Sequence, residues 1–453
     1  MPTSSSGSTA SVRSSAAPKA ASTKSTEATV ASSPPATAEK APDDTSKLRT
    51  FLSILRKFIG VTDIASVRFS LPAQLLEPTP NLEYWNYLDR PEMFISIGDS
   101  NDPLGRMLEV LRFWFTKDLK YVKGKPCKPY NSALGEFFRC NWEVEDTASP
   151  ILDSSSERAK DQNSEAKDKP VKVSYLTEQT SHHPPVSAFY VDCPEKGITA
   201  RGFDQLSAKF TGTSIRVTPG AHNLGIFVTL HDRDDEQYQL THPAAHLGGL
   251  LRGSLSISVA DICFITCPKT KIKAILHYLE EGWLGRAQNR MQGVIFRYDP
   301  ENDTKLRIQD VAKEDILGRV EGCWQDKIYY TLPDSTDKKL LIDLNPLWPV
   351  PKIVPPDTEQ LPNESRKFWG GVTQAILNRE FSQATTLKQQ LEERQRGKAA
   401  ERKLNEEEWH PRFFTDVVTP TGRPSLTPDG ELVLKGLHTG DYHLEPSVAN
   451  GAY

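Results

Sequence analysis

EQTSHHPPVSAFYV, residues 178–191, joins a stiff polar motif to a β-rich run. His183 precedes a proline, which pushes it out of the helical region toward an extended one. Pro184 and Pro185 each fix φ and lack an amide hydrogen. Two imidazoles held on such a strand can both donate to one anion, a task that suits a phosphate better than a metal. The run VSAFYV opens a series. ITARGF, SIRVT, LGIFVTL, QYQLT, SLSIS, ICFIT, IKAILHYL, GVIFRY and KIYYTL follow between residues 198 and 332. Gly, Asn, Asp and Pro turns separate them, Pro219–Gly220 and Asp299–Pro300 among them. Many short strands with short links predict an antiparallel sandwich or barrel. A parallel sheet would need helices between its strands. A barrel hides its edges, and one this large has an interior wide enough to enclose a ligand.

Outward from this block the chain changes character. Residues 1–44 are mostly Ser, Ala, Thr, Pro and Lys and cannot offset the entropy of ordering, so they are expected to be a disordered tail. From Ser46 the pattern is helical. Leu48, Phe51, Leu52, Leu55, Phe58 and Ile59 share a face, with Lys47, Arg49, Arg56 and Lys57 elsewhere. That pattern fits a helix docked on a core, and equally a basic amphipathic lid that touches membrane. Residues 82–88 and 104–115 read as helices, the second nearly apolar all round and so expected inside the fold. Residues 147–170 read as a solvated polar loop between two strands, 344–362 as a proline-stiffened connector, and 365–402 as helical. Residues 417–453 show no strong core pattern and are expected to form a loosely packed tail.

Bulk properties exclude several classes. The 453 residues are 37% hydrophobic and 25% charged, with a net charge of −4. Nothing in that balance suggests nucleic acid, so any anion-binding surface must be local. No run approaches the roughly 18 apolar residues of a membrane span. The N-terminus lacks the apolar stretch of a secretory signal, and no added targeting module is expected on either side. Cys127, Cys140, Cys193, Cys263, Cys267 and Cys323 are scattered without a CxxC pair and read as reduced thiols of a cytosolic protein. Cys263 and Cys267 are read as packed thiols, since further zinc ligands at suitable spacing are missing from the sequence. No metal, cofactor or catalytic group is expected. The chain lacks a Cys-x5-Arg loop, a HExxH helix and a metal-spaced carboxylate cluster, which argues against a phosphoinositide phosphatase.

Two further stretches matter. KPYNSALGE, residues 128–136, offers Lys128 and Asn131. LKQQLEERQR, residues 387–396, places Lys388, Glu392 and Arg396 at i, i+4 and i+8 on one helix face. By spacing alone that is a solvated ion-pair stripe worth about 0.3–0.5 kcal/mol per pair. Together with EQTSHHPP and SRKFW, residues 365–369, these segments resemble the oxysterol-binding protein family of lipid carriers, most closely its short single-domain fungal members. The resemblance runs from about residue 48 to about residue 414. Ser132 departs from the family's usual proline, which loosens one turn and removes no ligand.

The resemblance implies an α+β domain over residues 45–416: a large incomplete antiparallel β-barrel around a central lipid tunnel, an N-terminal lid helix within 46–75, and a C-terminal helical region. It implies that Lys128, Asn131, His182, His183, Lys388, Glu392 and Arg396 bind the headgroup of phosphatidylinositol 4-phosphate, with Glu392 accepting from inositol hydroxyls. The implied function is exchange between membranes of that lipid and a sterol, each excluding the other from one lidded tunnel. Phosphatidylserine is the alternative second lipid, because KPYN and FRCNW (residues 138–142) look more like the relatives that carry it. A sensor that reports lipid occupancy is the other class of reading. The expected partners are lipids and, transiently, membrane surfaces; the expected state is a cytosolic monomer.

Overall fold

The computed structural model describes residues 44–65, 67, 71–124, 128–152, 169–250, 255–280 and 288–446. The expected disordered tail, apart from Asp44, lies outside these residues, as do Cys127 and most of the expected polar loop.

Among the described residues fifteen strands form one antiparallel sheet. They are β1 Phe137–Val144, β2 Val171–His182, β3 Pro185–Cys193, β4 Ile198–Asp204, β5 Leu206–Phe210, β6 Ile215–Pro219, β7 Ile226–Leu230 and β8 Glu236–Leu240. β9 Ala244–Gly248, β10 Ser256–Cys267, β11 Ile272–Tyr278, β12 Arg290–Arg297, β13 Ile316–Cys323, β14 Lys327–Thr331 and β15 Lys339–Asp343 complete it. The path runs β1-β2-β3-β4-β7-β8-β10-β11-β12-β13-β14-β15, and β1 does not pair with β15, so the barrel is incomplete. The free side of β1 is partly covered by the proline-rich connector, which exchanges backbone hydrogen bonds between Asn141 and Ile353 at 2.9 and 2.7 Å.

SLSIS and ICFIT read as two strands but fuse into β10. The joint is Asp261, at φ +72, a conformation Asp tolerates better than most residues. Before it β10 pairs with β9, and from it onward with β11. A side branch β5-β6-β9 therefore leaves the main barrel there. Sequence reading missed β5, β9, β13 and β15, whose Lys, His, Gly and Asp residues dilute the apolar alternation.

The helices are α1 Asp44–Leu55, α2 Asn81–Tyr84, α3 Pro91–Ile95, α4 Pro103–Thr116, α5 Lys120–Lys123, α6 Ser365–Leu377, α7 Phe381–Leu404 and α8 Pro428–Thr439. The helix expected over 82–88 stops at Tyr84, where Trp85 turns extended. α4 starts on a Pro at its first turn with Asp102 as cap, which accepts from the Leu104 amide at 2.8 Å. It is buried almost throughout and joins the main core with residues from both ends of the barrel path. Its Glu109 reaches the start of the expected surface loop: the Ile151 amide donates to it, and Arg112 donates to Ser149 O at 3.2 Å. That end of the loop is therefore pinned to the core.

α1 lies on the side branch. Leu48 and Leu55 are buried with Ile64, Phe210, Ile215 and Leu250. Asp63 fastens the following turn by accepting from the Ala208 amide at 2.8 Å. Leu55→Ala should therefore loosen α1 selectively. A buried Leu→Ala change costs about 2–5 kcal/mol, and at the edge of the fold most of it falls on local docking. Hydrogen exchange of the α1 amides should speed up while the barrel amides stay protected; equal acceleration in both would contradict this placement.

The C-terminal expectation fails. Val433, Leu434 and Leu437 of α8 are buried with Phe137, Leu176, Phe203, Phe413 and Phe414 against the outside of β1–β4. Their spacing is helical, but too few apolar residues surround them in sequence for the pattern to stand out. Thr427 caps α8 by accepting from Gly430, and Gly440 ends it at φ +81.

Candidate functional site

The segment 128–136 crosses between the chain before α2 and helices α6 and α7. Tyr130 stacks on Trp369 with ring centroids 4.7 Å apart, and its hydroxyl bonds Thr373 Oγ1 at 3.0 Å. These residues share a small core with Leu71, Ala73, Leu76, Phe381 and Ala384. Lys128 Nζ donates to Asn131 Oδ1 at 2.6 Å and to Pro129 O at 2.9 Å. Both belong to the KPYNSALGE segment, and the structure brings them into direct contact. Ser132 is buried, and its hydroxyl finds no partner among the described residues.

The histidines sit elsewhere than expected in one respect. His182 is the last residue of β2 and pairs with Pro185, the first of β3. His183 and Pro184 form the turn between them, with a cis bond joining them. The rings therefore occupy a hairpin tip and not a continuous strand. A tight connection between antiparallel strands needs turn residues there, and Pro185, lacking a donor, is tolerated at a strand start. The two rings meet edge-on with centroids 4.7 Å apart, and both residues are exposed.

Backbone bonds fix this hairpin to segment 128–136: Gly135 N to Gln179 O at 3.0 Å and Gln179 N to Glu136 O at 2.8 Å. β2 is irregular between Gln179 and Ser181. Thr180, at that irregularity, accepts from Trp409 Nε1 at 3.1 Å and donates its hydroxyl to Val417 O at 2.7 Å. A bulge of this kind re-aims the residues that follow it.

On α7, Lys388 is buried and donates to Glu392 Oε1 at 2.6 Å. Arg396 does not join them. It is 62% exposed and lies 3.9 Å from Glu393. At 100° per residue the stripe turns gradually outward, so Lys388 faces the core while Arg396 faces solvent. The structure thus forms three local pairs, Lys128–Asn131, His182–His183 and Lys388–Glu392, on elements tied together through Trp369, Glu136 and Gln179.

Two carboxyls in the motifs are structural. Glu136 accepts from the Ala133 amide, Ser365 Oγ and Trp369 Nε1 at 2.9, 2.7 and 3.1 Å. Glu178 accepts from the Arg412 and Phe413 amides at 2.9 and 2.8 Å. Burial outweighs these bonds and pushes each carboxyl up to about 7. Asp204 is likewise pushed up to about 7 by burial, against the hydrogen bond from Tyr87. Unfolded carboxyls titrate near about 4. Between there and about 7 the native state holds protons that the unfolded chain has released. Stability should therefore fall as pH rises through that window and level off above it. Glu178→Gln should reduce the slope of thermal midpoint against pH; an unchanged slope would remove Glu178 from this account.

A second polar group, inside the core, was missed by sequence reading. Lys117 and Asp118 pair at the end of α4, and Lys120 lies 3.1 Å from Asp89 and 3.4 Å from Asp118. Lys117 Nζ stands 4.8 Å over the Tyr87 ring and 4.5 Å over that of Trp114. His242 stacks on Tyr87 at 5.5 Å, and its buried Nε2 has no hydrogen-bond partner among the described residues. Burial lowers His242 to about 3, with Lys117 adding to the effect, so its ring is neutral. Burial raises Asp118, but Lys117 and Lys120 outweigh it and hold it at about 2. Asp118 is enclosed by protein yet keeps 22% of its side-chain surface accessible. The signal in the sequence was a Lys-Asp-Leu-Lys run directly after an almost wholly apolar helix.

Among the described residues no helix is long and apolar enough to cross a membrane, and no cluster of three or more His, Cys, Asp or Glu could hold a metal. Comparison with known proteins decides the family. The profile described as "Oxysterol-binding protein" matches residues 50–431. The chain belongs to the oxysterol-binding protein family. It is 42% identical to "Oxysterol-binding protein-like protein 1" of Schizosaccharomyces pombe over 87% of this chain and 92% of that one. It is 32% identical to human "Oxysterol-binding protein-related protein 9", over 76% of this chain but only 44% of the relative. The chain thus spans under half of that longer protein. In fold it resembles the Osh1 ORD domain crystallised with cholesterol, at TM-score 0.62 and 19% identity, covering 92% of this chain and 95% of that one. It also resembles the Osh3 ORD of Saccharomyces cerevisiae in complex with PI(4)P, at TM-score 0.60 and 17% identity, covering 90% and 96%.

Proposed function

We propose that this oxysterol-binding family protein carries lipids between membranes, exchanging a sterol for phosphatidylinositol 4-phosphate in one lidded interior. Family membership across residues 50–431, with all three motif segments inside that span, carries this reading. The ligands of the two fold neighbours, cholesterol and PI(4)P, support the lipid pair.

Lys128, Asn131, His182, His183, Lys388, Glu392 and Arg396 hold the inositol phosphate in this scheme. The histidines supply donors from the hairpin tip, and the cations supply charge. Arg396, exposed in this conformation, turns toward the headgroup when it arrives. The α1 segment and residues to 75 serve as the lid, on a lipid-binding domain that extends past the expected 45–416 to take in α8. The acyl or sterol body replaces bilayer contacts at about 0.8 kcal/mol per buried CH₂, which is why a closed interior is needed to cross water.

The interior polar group favours sterol over phosphatidylserine as the second lipid. Its cations Lys117 and Lys120 are matched by Asp118 and Asp89, and its imidazole is neutral. Such a set has no surplus charge for an anionic headgroup, while a neutral imidazole can bond a hydroxyl. The protein works from the cytosol as a monomer, touches membranes transiently, and performs no catalysis. Mass spectrometry of lipids co-purifying with the protein tests the pair. A sterol together with a phosphoinositide is the expected result. An aminophospholipid without sterol would replace the second lipid, and phosphate released from the phosphoinositide would make the protein a hydrolase instead.

A further inference from the structure

α7 carries a second cationic set that the headgroup site does not use. Arg394, Lys398 and Arg402 also follow one another at i, i+4 and i+8. They begin six residues after Lys388, about 120° away round the helix axis at 3.6 residues per turn. They line a cavity of about 130 Å³ whose far wall is made by Trp409, Arg412 and Asn363. None of the residues assigned to the inositol headgroup lines it.

This cavity is built and not merely a charged surface. Arg412 is anchored through Nε to Asp429 at 2.8 Å and through Nη2 to Glu445 O at 2.7 Å. Its side chain is only 9% exposed, and its Nη1 is buried without a hydrogen-bond partner among the described residues. Asn363 donates to Gly135 O at 2.9 Å, which fixes the amide. Arg402 stacks over the Trp409 ring at 5.5 Å, and Arg394 over that of Phe368 at 5.8 Å. Lys398 is lowered by burial and then by the charges of Arg394 and Arg402, with Glu401 acting the other way, so three cations stand close together on this wall. Glu136 and Glu178 also border the cavity, but their oxygens are engaged by the amides, hydroxyl and indole described above. A buried guanidinium donor left unbonded is costly, and crowded cations are relieved by an anion.

We infer that the cavity between α7 and Trp409 is a second anion site, selective for a phosphate oxyanion and separate from the inositol headgroup site. A cavity of about 150 Å³ holds benzene, so one of about 130 Å³ is large enough to seat a phosphate group. Planar guanidinium groups from two directions suit a tetrahedral oxyanion. The phosphate can be free or borne by a lipid at a membrane surface, and the chemistry of recognition is the same.

Calorimetric titration of the full chain with inorganic phosphate tests the site. Lys398→Ala with Arg402→Ala should weaken binding by at least about tenfold, the loss expected for removed charge-assisted contacts. Circular dichroism and unchanged binding of the second lipid check that this variant is folded. The source is read by flotation with phosphatidylcholine vesicles with and without phosphatidylinositol 4-phosphate, on a His182→Ala, His183→Ala background. Retained flotation that disappears when Lys398 and Arg402 are also replaced identifies a lipid-borne phosphate. Phosphate binding in solution without flotation identifies the free ion. No measurable phosphate binding, or binding unchanged by Lys398→Ala with Arg402→Ala, overturns the inference.

Discussion

Replacing His182 and His183 together by alanine should abolish phosphatidylinositol 4-phosphate binding and leave sterol binding close to that of the parent protein. Both rings are exposed at the tip of the β2–β3 hairpin and contribute little to the core, so the variant should fold. Each imidazole can give one charge-assisted hydrogen bond, worth about 1.5–3 kcal/mol. Losing both predicts a drop of roughly hundredfold or more in affinity. Fluorescent sterol binding and phosphoinositide extraction from vesicles, measured on one preparation, provide the comparison. Equal loss of both lipids in a folded variant would detach the histidines from the headgroup.

Trp369→Ala should be among the most destabilising single changes near the site. The indole is 3% exposed, stacks on Tyr130 at 4.7 Å and donates to Glu136 at 3.1 Å. Its removal costs about 3–5 kcal/mol by the precedent of large-to-small core changes. The consequence reaches function, because the indole holds the segment bearing Lys128 and Asn131 against α6. Urea denaturation should show the stability loss, and phosphoinositide affinity should fall with it. Trp369→Phe should keep most of the stacking and lose about 1–3 kcal/mol, since it strands one acceptor of a buried carboxyl. A loss under about 1 kcal/mol for the alanine variant would mean that the small core survives without the indole.

The barrel was readable because its central strands are short β-rich runs bounded by turn residues, as VSAFYV and ITARGF are. The branch strands were not readable. LSAKF and AAHLG are half-exposed, and tertiary pairing, not periodicity, makes them strands. α8 escaped for a related reason: its few buried residues gain their partners from β1–β4, far away in sequence. At the site, residue identities were legible and geometry was not. Lys388 with Glu392 lies as spacing suggested, whereas no spacing rule pairs Lys128 with Asn131 or places a hairpin turn between His182 and Pro185. The interior group around Lys117 and His242 was overlooked because, beyond the Lys-Asp-Leu-Lys run, its members come from α4, the chain before α3 and the loop after β8. Arg412 was overlooked because a lone arginine in a segment without core pattern reads as a surface charge.

The central claim is that one interior serves both lipids, so that each expels the other. Protein loaded with a fluorescent sterol and titrated with vesicles containing phosphatidylinositol 4-phosphate tests it most directly. The account predicts sterol release in proportion to phosphoinositide bound, one for one, and no release in the His182→Ala, His183→Ala variant. Sterol that stays bound while the phosphoinositide is taken up would contradict it.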